Sequence, residues 1–130
     1  MKRMARRADP REIVLMALYA EHLKPNGDFN RVRAKTLEMD SRPFLWGLMQ
    51  LRAEDLVGGI TWIPPGEMSP EKVVGLLRDN LYLAHAGIDE AEKIIDAKGI
   101  TRAEKLARVA GWFAQMGMQA LALAAEAGLM

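Results

Sequence analysis

Arg42, Gln50 and Arg52 have side chains whose chemistry points outward to a partner. An arginine fork pairs with a guanine edge or a phosphate, and a glutamine amide can read adenine. All three fall in a segment whose apolar residues, Phe44, Gly47, Leu48 and Leu51, repeat at +3, +4 and +7. That spacing predicts a helix with one buried side, leaving Arg42, Leu45, Trp46, Met49, Gln50 and Arg52 on or near the other. Leu45, Trp46 and Met49 bring a different chemistry, because apolar side chains do not suit a wet, polar groove. A surface tryptophan is typical of protein-binding hot spots. The helix therefore carries two uses side by side, nucleic-acid reading and protein docking, and a third in which Trp46 is core under another helix.

Other chemistries find little support. The chain has two histidines, His22 near a helix end and His85 at a strand-to-helix junction, at no spacing that makes a metal site or a Ser-His-Asp arrangement. Gly58-Gly59 follows a helix instead of opening one, so it is no phosphate loop. Glu90 and Glu92 lie on different faces of a helix, with Asp89, Glu90, Glu92 and Lys93 expected outward. No catalytic residue, metal or cofactor is expected. Met116 and Met118 suit core filling, with an apolar ligand pocket as the less favoured use.

The 130 residues, half of them apolar, suit one domain plus an extra element. The net charge of +1 hides an asymmetry, since nine Lys/Arg face four Asp/Glu before residue 36. A basic front end is what an electrostatic partner such as DNA would use. Residues 1–9 read as a basic arm, and Arg6, Arg7, Arg31, Arg33 and Lys35 are the candidates to hold phosphates. No apolar run follows that arm, so it is not a secretory signal. With no cysteine, stability must come from packing alone, which fits a reducing cytoplasm, the expected location.

The elements that would position these residues can be read in order. Asp9, Pro10 and Glu12 open a first helix with Ile13, Val14, Ala17, Leu18 and Leu23 inward, closed by Pro25-Asn26-Gly27. Asp28 can cap a shorter helix burying Phe29, Val32 and Leu37. Asp40-Ser41 and Pro43 start the third helix, which closes at Glu54-Asp55, with Asp55 in the left-handed conformation. Val57 to Ile63 reads as a strand and Asn80 to Leu83 as its return, with a helical insertion at about 64–79 beginning at Ser69-Pro70. The tip between them, Pro64-Pro65-Gly66-Glu67-Met68, is acidic where a DNA-contacting hairpin usually carries Lys or Arg. Ala84 to Ala97 forms a further helix.

Thr101 and Glu104 make a capping box for a last helix reaching nearly to Met130. In it Leu106, Val109, Phe113, Met116, Ala120 and Leu123 alternate steps of three and four, the seam of a coiled coil. Ala103, Ala107, Ala110, Ala114 and Gly117 form a second stripe. Two apolar faces call for a partner helix, so residues 101–130 are read as a homodimerisation helix. The uncharged run between Arg108 and Glu126 is shorter than a membrane span and contains Gln115 and Gln119, so no membrane partner is expected.

The layout of Phe44, Gly47, Leu51 and Leu56-Val57, followed by Leu83-Ala84-His85-Ala86-Gly87, resembles the small bacterial and phage-associated winged helix-turn-helix proteins of the YjcQ type, and more distantly the MarR-type regulators. The resemblance covers residues 10 to 97 in layout. Asp55 stands where the family usually has Gly, and Ala84 where it has a capping Thr. It implies a mainly α fold with a small β-hairpin (α+β), with a winged-helix domain at 10–98 and the hairpin as wing. The wider superfamily implies a transcriptional regulator that binds double-stranded DNA. The alternative is a winged helix used as a protein-interaction or assembly module.

Overall fold

A computed structural model describes residues 9–63, 75–77 and 81–127 of the chain. Helix α1, Pro10–Leu23, begins as its caps dictate, with the Asp9 carboxylate accepting from the Arg11 N–H at 2.9 Å. Its interior differs from the one-faced reading, because every residue from Ile13 to Glu21 is buried. The cause is its position: α1 packs against three other helices, so no side is left for solvent. The expected second helix is reduced to a 3₁₀ turn, Phe29–Arg31, under an Asp28 cap, with Val32 and Leu37 still in the core.

Helix α2, Ser41–Ala53, buries the four residues its spacing requires, Phe44, Gly47, Leu48 and Leu51. Gly47 is needed for close approach, since a Cβ there would lie 2.8 Å from the Pro10 carbonyl oxygen. The helix ends in a Schellman motif. Asp55 takes φ 59°, and the Leu56 N–H reaches back to the Leu51 carbonyl at 2.9 Å.

That turn delivers the chain into β1, Val57–Gly58, which pairs antiparallel with β4, Tyr82–Leu83. Further out, β2, Thr61–Ile63, pairs antiparallel with β3, Gly75–Leu77. The register steps from Val57↔Leu83 in one pair to Thr61↔Leu77 in the other, four residues on the outgoing side and six on the return. The hairpin is therefore longer than the sequence suggests, and Leu76-Leu77, read as the end of a helical insertion, pair as strand instead. Strand pairing with Thr61 and Trp62 overrides their apolar spacing. The remainder of the expected insertion and the acidic tip lie outside the described residues.

Helix α3, His85–Ile94, starts at Ala84 without a side-chain cap. Helix α4, Arg102–Gln115, starts with the full capping box of Thr101 and Glu104. The single last helix of the sequence reading is broken: Gly117 takes φ 77°, the Met118 N–H bonds the Phe113 carbonyl at 2.8 Å, and the chain folds back as α5, Gln119–Ala127, against α4. A glycine in the left-handed conformation makes this reversal without Cβ strain. Among the described residues the architecture is mainly helical with small antiparallel strand pairs, and no helix is long and apolar enough to cross a membrane.

Polar side chains lock the helices together. The Tyr19 hydroxyl of α1 donates to Glu92 of α3 at 2.8 Å, and Lys105 of α4 donates to the same carboxylate at 2.7 Å. Burial opposes the charge on Glu92, but the bonds from Lys105 and Tyr19 and the nearby charges of Lys105 and Lys98 outweigh it, so the carboxyl titrates below its ordinary range. Burial, with the Glu92 bond and charge, pushes the Tyr19 hydroxyl well up. Arg102 donates to the Leu23 carbonyl at 2.7 Å, and Arg108 to the Asp96 carbonyl at 2.6 Å, satisfying the ends of α1 and α3.

Candidate nucleic-acid interface

The outer face of α2 is built by what its inner face must do. With Phe44, Leu48 and Leu51 sunk in the core, Arg42, Trp46 and Met49 follow at +4 and +7 along the opposite stripe. Trp46 is 50% exposed and Met49 39% exposed, so none of the described helices covers them. Leu45 is half-buried and packs on the core. Arg42 and Arg52 stand exposed ten residues apart, roughly 15 Å along the axis. Arg52 turns toward a small cleft formed with Asp55, Gly58 and Tyr82 at the base of the hairpin. Gln50, expected outward as a base reader, is half-buried, and its Oε1 is enclosed with no hydrogen-bond partner among the described residues.

The phosphate candidates do not converge on that face. Arg31 and Arg33 are exposed but line a second cleft, opposite Phe113 of α4 and Leu121 of α5. Arg31 lies 3.6 Å from Glu21, and the Arg33 Nε donates to the Asn30 carbonyl at 2.9 Å. Lys35 is exposed on the turn between them and α2. Arg6 and Arg7 lie outside the described residues.

The charge inventory separates two kinds of cation. Arg11, Lys24, Arg31, Lys98, Lys105 and Arg108 each have a carboxylate within salt-bridge distance. Among the described residues Arg33, Lys35, Arg42, Arg52, Lys93 and Arg102 have none; Arg102 is spent on the Leu23 carbonyl, Lys93 stands alone on α3, and the other four lie in α2 and the segment leading to it.

The end of α2, already seated by its buried face, is further tied to α1 and α3 by Arg11, which belongs to no motif. Arg11 grips Glu54, at the end of α2, through two bonds of 2.7 Å and approaches Glu90 of α3 at 3.4 Å. The Glu54 bond raises the affinity of Arg11 for its proton, and the same bond holds the Glu54 carboxyl below its ordinary range. A signal was present: a cation in the first turn of a helix opposes the macrodipole, so it usually serves something else. Glu90 and Glu92, expected as solvated charge, are part of these interior contacts.

The expected dimer seam is divided. Leu106, Val109 and Phe113 are fully buried within one chain, Met116 is half-buried, and only Ala120 and Leu123, the latter 63% exposed, face outward. The reversal at Gly117 makes α5 the neighbour of α4, so the first half of the seam is occupied within the chain. Met116 and Met118 pack on the core and do not line either cleft. Both histidines are exposed; His22 stacks near the Tyr19 ring at 6.1 Å and His85 lies 3.8 Å from Asp89. Among the described residues no group of three or more His, Asp or Glu is placed to hold a metal ion.

The chain matches no protein-family model, no curated protein and no solved structure.

Proposed function

We propose that this protein is a DNA-binding transcriptional regulator of winged-helix type, with α2 entering the major groove and the β1–β4 hairpin as wing. The observation that supports the reading best is the clustering of carboxylate-free cations, Arg33, Lys35, Arg42 and Arg52, in and before a helix whose opposite face is anchored in the core. Cations already neutralised inside the fold gain little from phosphates, whereas these release counterions on binding. Arg42 and Arg52 contact base edges or phosphates, and Arg33 and Lys35 hold the backbone. In this reading Ala120 and Leu123 of α5 are the surface left for association of two copies, which makes the site palindromic.

Fluorescence polarisation with duplex DNA tests it. With about four phosphates engaged, affinity falls ~100-fold between 50 and 200 mM salt. The double change Arg42→Ala with Arg52→Ala removes most binding, while Lys93→Ala on α3 leaves it unchanged. No binding at low salt rules the reading out.

A second reading is favoured by one observation, the exposure of Trp46 and Met49 in the middle of the same face. Tryptophan and methionine are enriched at protein interfaces, with arginine beside them. In that reading α2 docks a protein. Loss of partner capture on Trp46→Ala, with the arginine pair silent, decides for it.

A further inference from the structure

The cleft that receives Arg31 and Arg33 has a volume of about 530 Å³, within the range of small-molecule sites. Its walls are apolar and its openness comes from small side chains on facing helices: Ala17 and Ala20 on α1, Ala124 and Ala125 on α5, with Phe113 and Leu121 behind them. Ala17, Ala20, Ala125 and Phe113 are buried and form the floor of the cleft, while the half-buried Leu121 and the exposed Ala124 form its accessible apolar rim.

The polar groups of this cleft are almost all committed. The Glu21 carboxylate accepts from Lys24 at 2.9 Å and from the Asp28 N–H at 3.0 Å. Asp28 accepts from the Asn30 N–H at 2.9 Å. The Thr36 hydroxyl donates to the Arg31 carbonyl at 2.6 Å and accepts from the Arg33 N–H at 3.0 Å. Arg33 differs. Its Nε is used by the Asn30 carbonyl, but its two terminal amino groups have no partner among the described residues.

We propose that this cleft is a binding site for a small apolar monocarboxylate, its body against Phe113, Leu121 and the alanines and its carboxylate on the Arg33 terminal amino groups. The lining carries three cations, Lys24, Arg31 and Arg33, against two carboxylates, Glu21 and Asp28, so the site is positive on balance and favours an anion. The apolar wall, which water hydrates poorly, selects a hydrocarbon body. The site is independent of whether α2 reads DNA.

Titration of the full chain with 2-naphthoate, followed by heteronuclear NMR, tests the proposal, with uncharged 2-naphthamide as the matched probe. Saturable shifts are expected at Ala20, Phe113, Leu121 and Ala124, with the acid binding about tenfold more tightly than the amide, a difference of ~1.4 kcal/mol. Ala124→Phe, at an exposed position that fills the cleft, abolishes binding while the melting curve is unchanged. Arg33→Gln removes the preference for the acid and keeps the amide affinity. Absence of saturable shifts in the folded wild-type chain, equal affinities for acid and amide, or shifts that neither substitution affects would each overturn it.

Discussion

Helices α2 and α4 carry similar sequence patterns and meet opposite fates. Both are amphipathic, both hold arginines on the polar side, and both contain a tryptophan. In α4 the tryptophan and the whole apolar seam are buried, and Arg102, Lys105 and Arg108 are consumed in binding the ends of α1 and α3 and the Glu92 carboxylate. In α2 the tryptophan stays half in solvent and both arginines lack a carboxylate among the described residues. A helix whose charges are all answered within its own chain is scaffold. One that presents unanswered charge and an uncovered aromatic on the same face is where an external partner gains most.

The contrast is sharpest at the two aromatics. Phe113→Ala is expected to cost about 3–5 kcal/mol in urea unfolding, as the loss of a buried aromatic does. Trp46→Ala is expected to stay within about 0.5 kcal/mol, as exposed substitutions do. Equal losses would erase the distinction between the helices. Next in size, Glu92→Gln leaves the Lys105 ammonium poorly matched beside the Tyr19 hydroxyl and costs about 1–3 kcal/mol.

That same carboxyl carries a pH signature. Its affinity for a proton is lower in the folded chain than in the unfolded one, so its stabilisation is complete above the ordinary carboxylate range and is lost as pH falls through the folded value. Wild-type melting temperature therefore drops in acid by more than that of the Gln variant, and parallel acid curves would refute the pairing. The smallest effect is at the start of α4, where Thr101→Ala removes a cap and costs about 1 kcal/mol in the same unfolding assay. The start of α3, where Ala84 has no side chain to lose, gains up to a similar amount from Ala84→Thr.

Local signals were legible and distant ones were not. The cap at Asp9, the buried set of α2, the left-handed Asp55 and the Thr101 box all depend on residues within one or two turns, and each is where the spacing puts it. The break at Gly117 was hidden because apolar steps of three and four continue through Phe113, Met116, Ala120 and Leu123. A lone glycine in such a run is compatible with an unbroken helix, and tertiary contact with α4 decides otherwise. Leu76-Leu77 paired as strand for the same reason. Arg11 and Glu54 stand 43 residues apart in sequence, so the misplaced cation at the start of α1 hints at a partner but only the fold says which one. The candidate interface was half legible: Arg42, Arg52 and Trp46 emerge outward, whereas Gln50 is drawn in and Arg31 and Arg33 turn to another cleft.

The all-round burial of α1 has a consequence for synthesis. This helix precedes every element that covers it, and α4, which closes one of its sides, is separated from it by α2, the hairpin and α3. Translation delivers residues at about 5–20 per second, so for several seconds a helix apolar on every side waits on the ribosome without its cover. The α4–α5 pair, joined across a tight turn, closes on itself far faster than that. The later-made pair thus reaches α1 nearly formed, and until it does the side of α1 that it covers stays open to water.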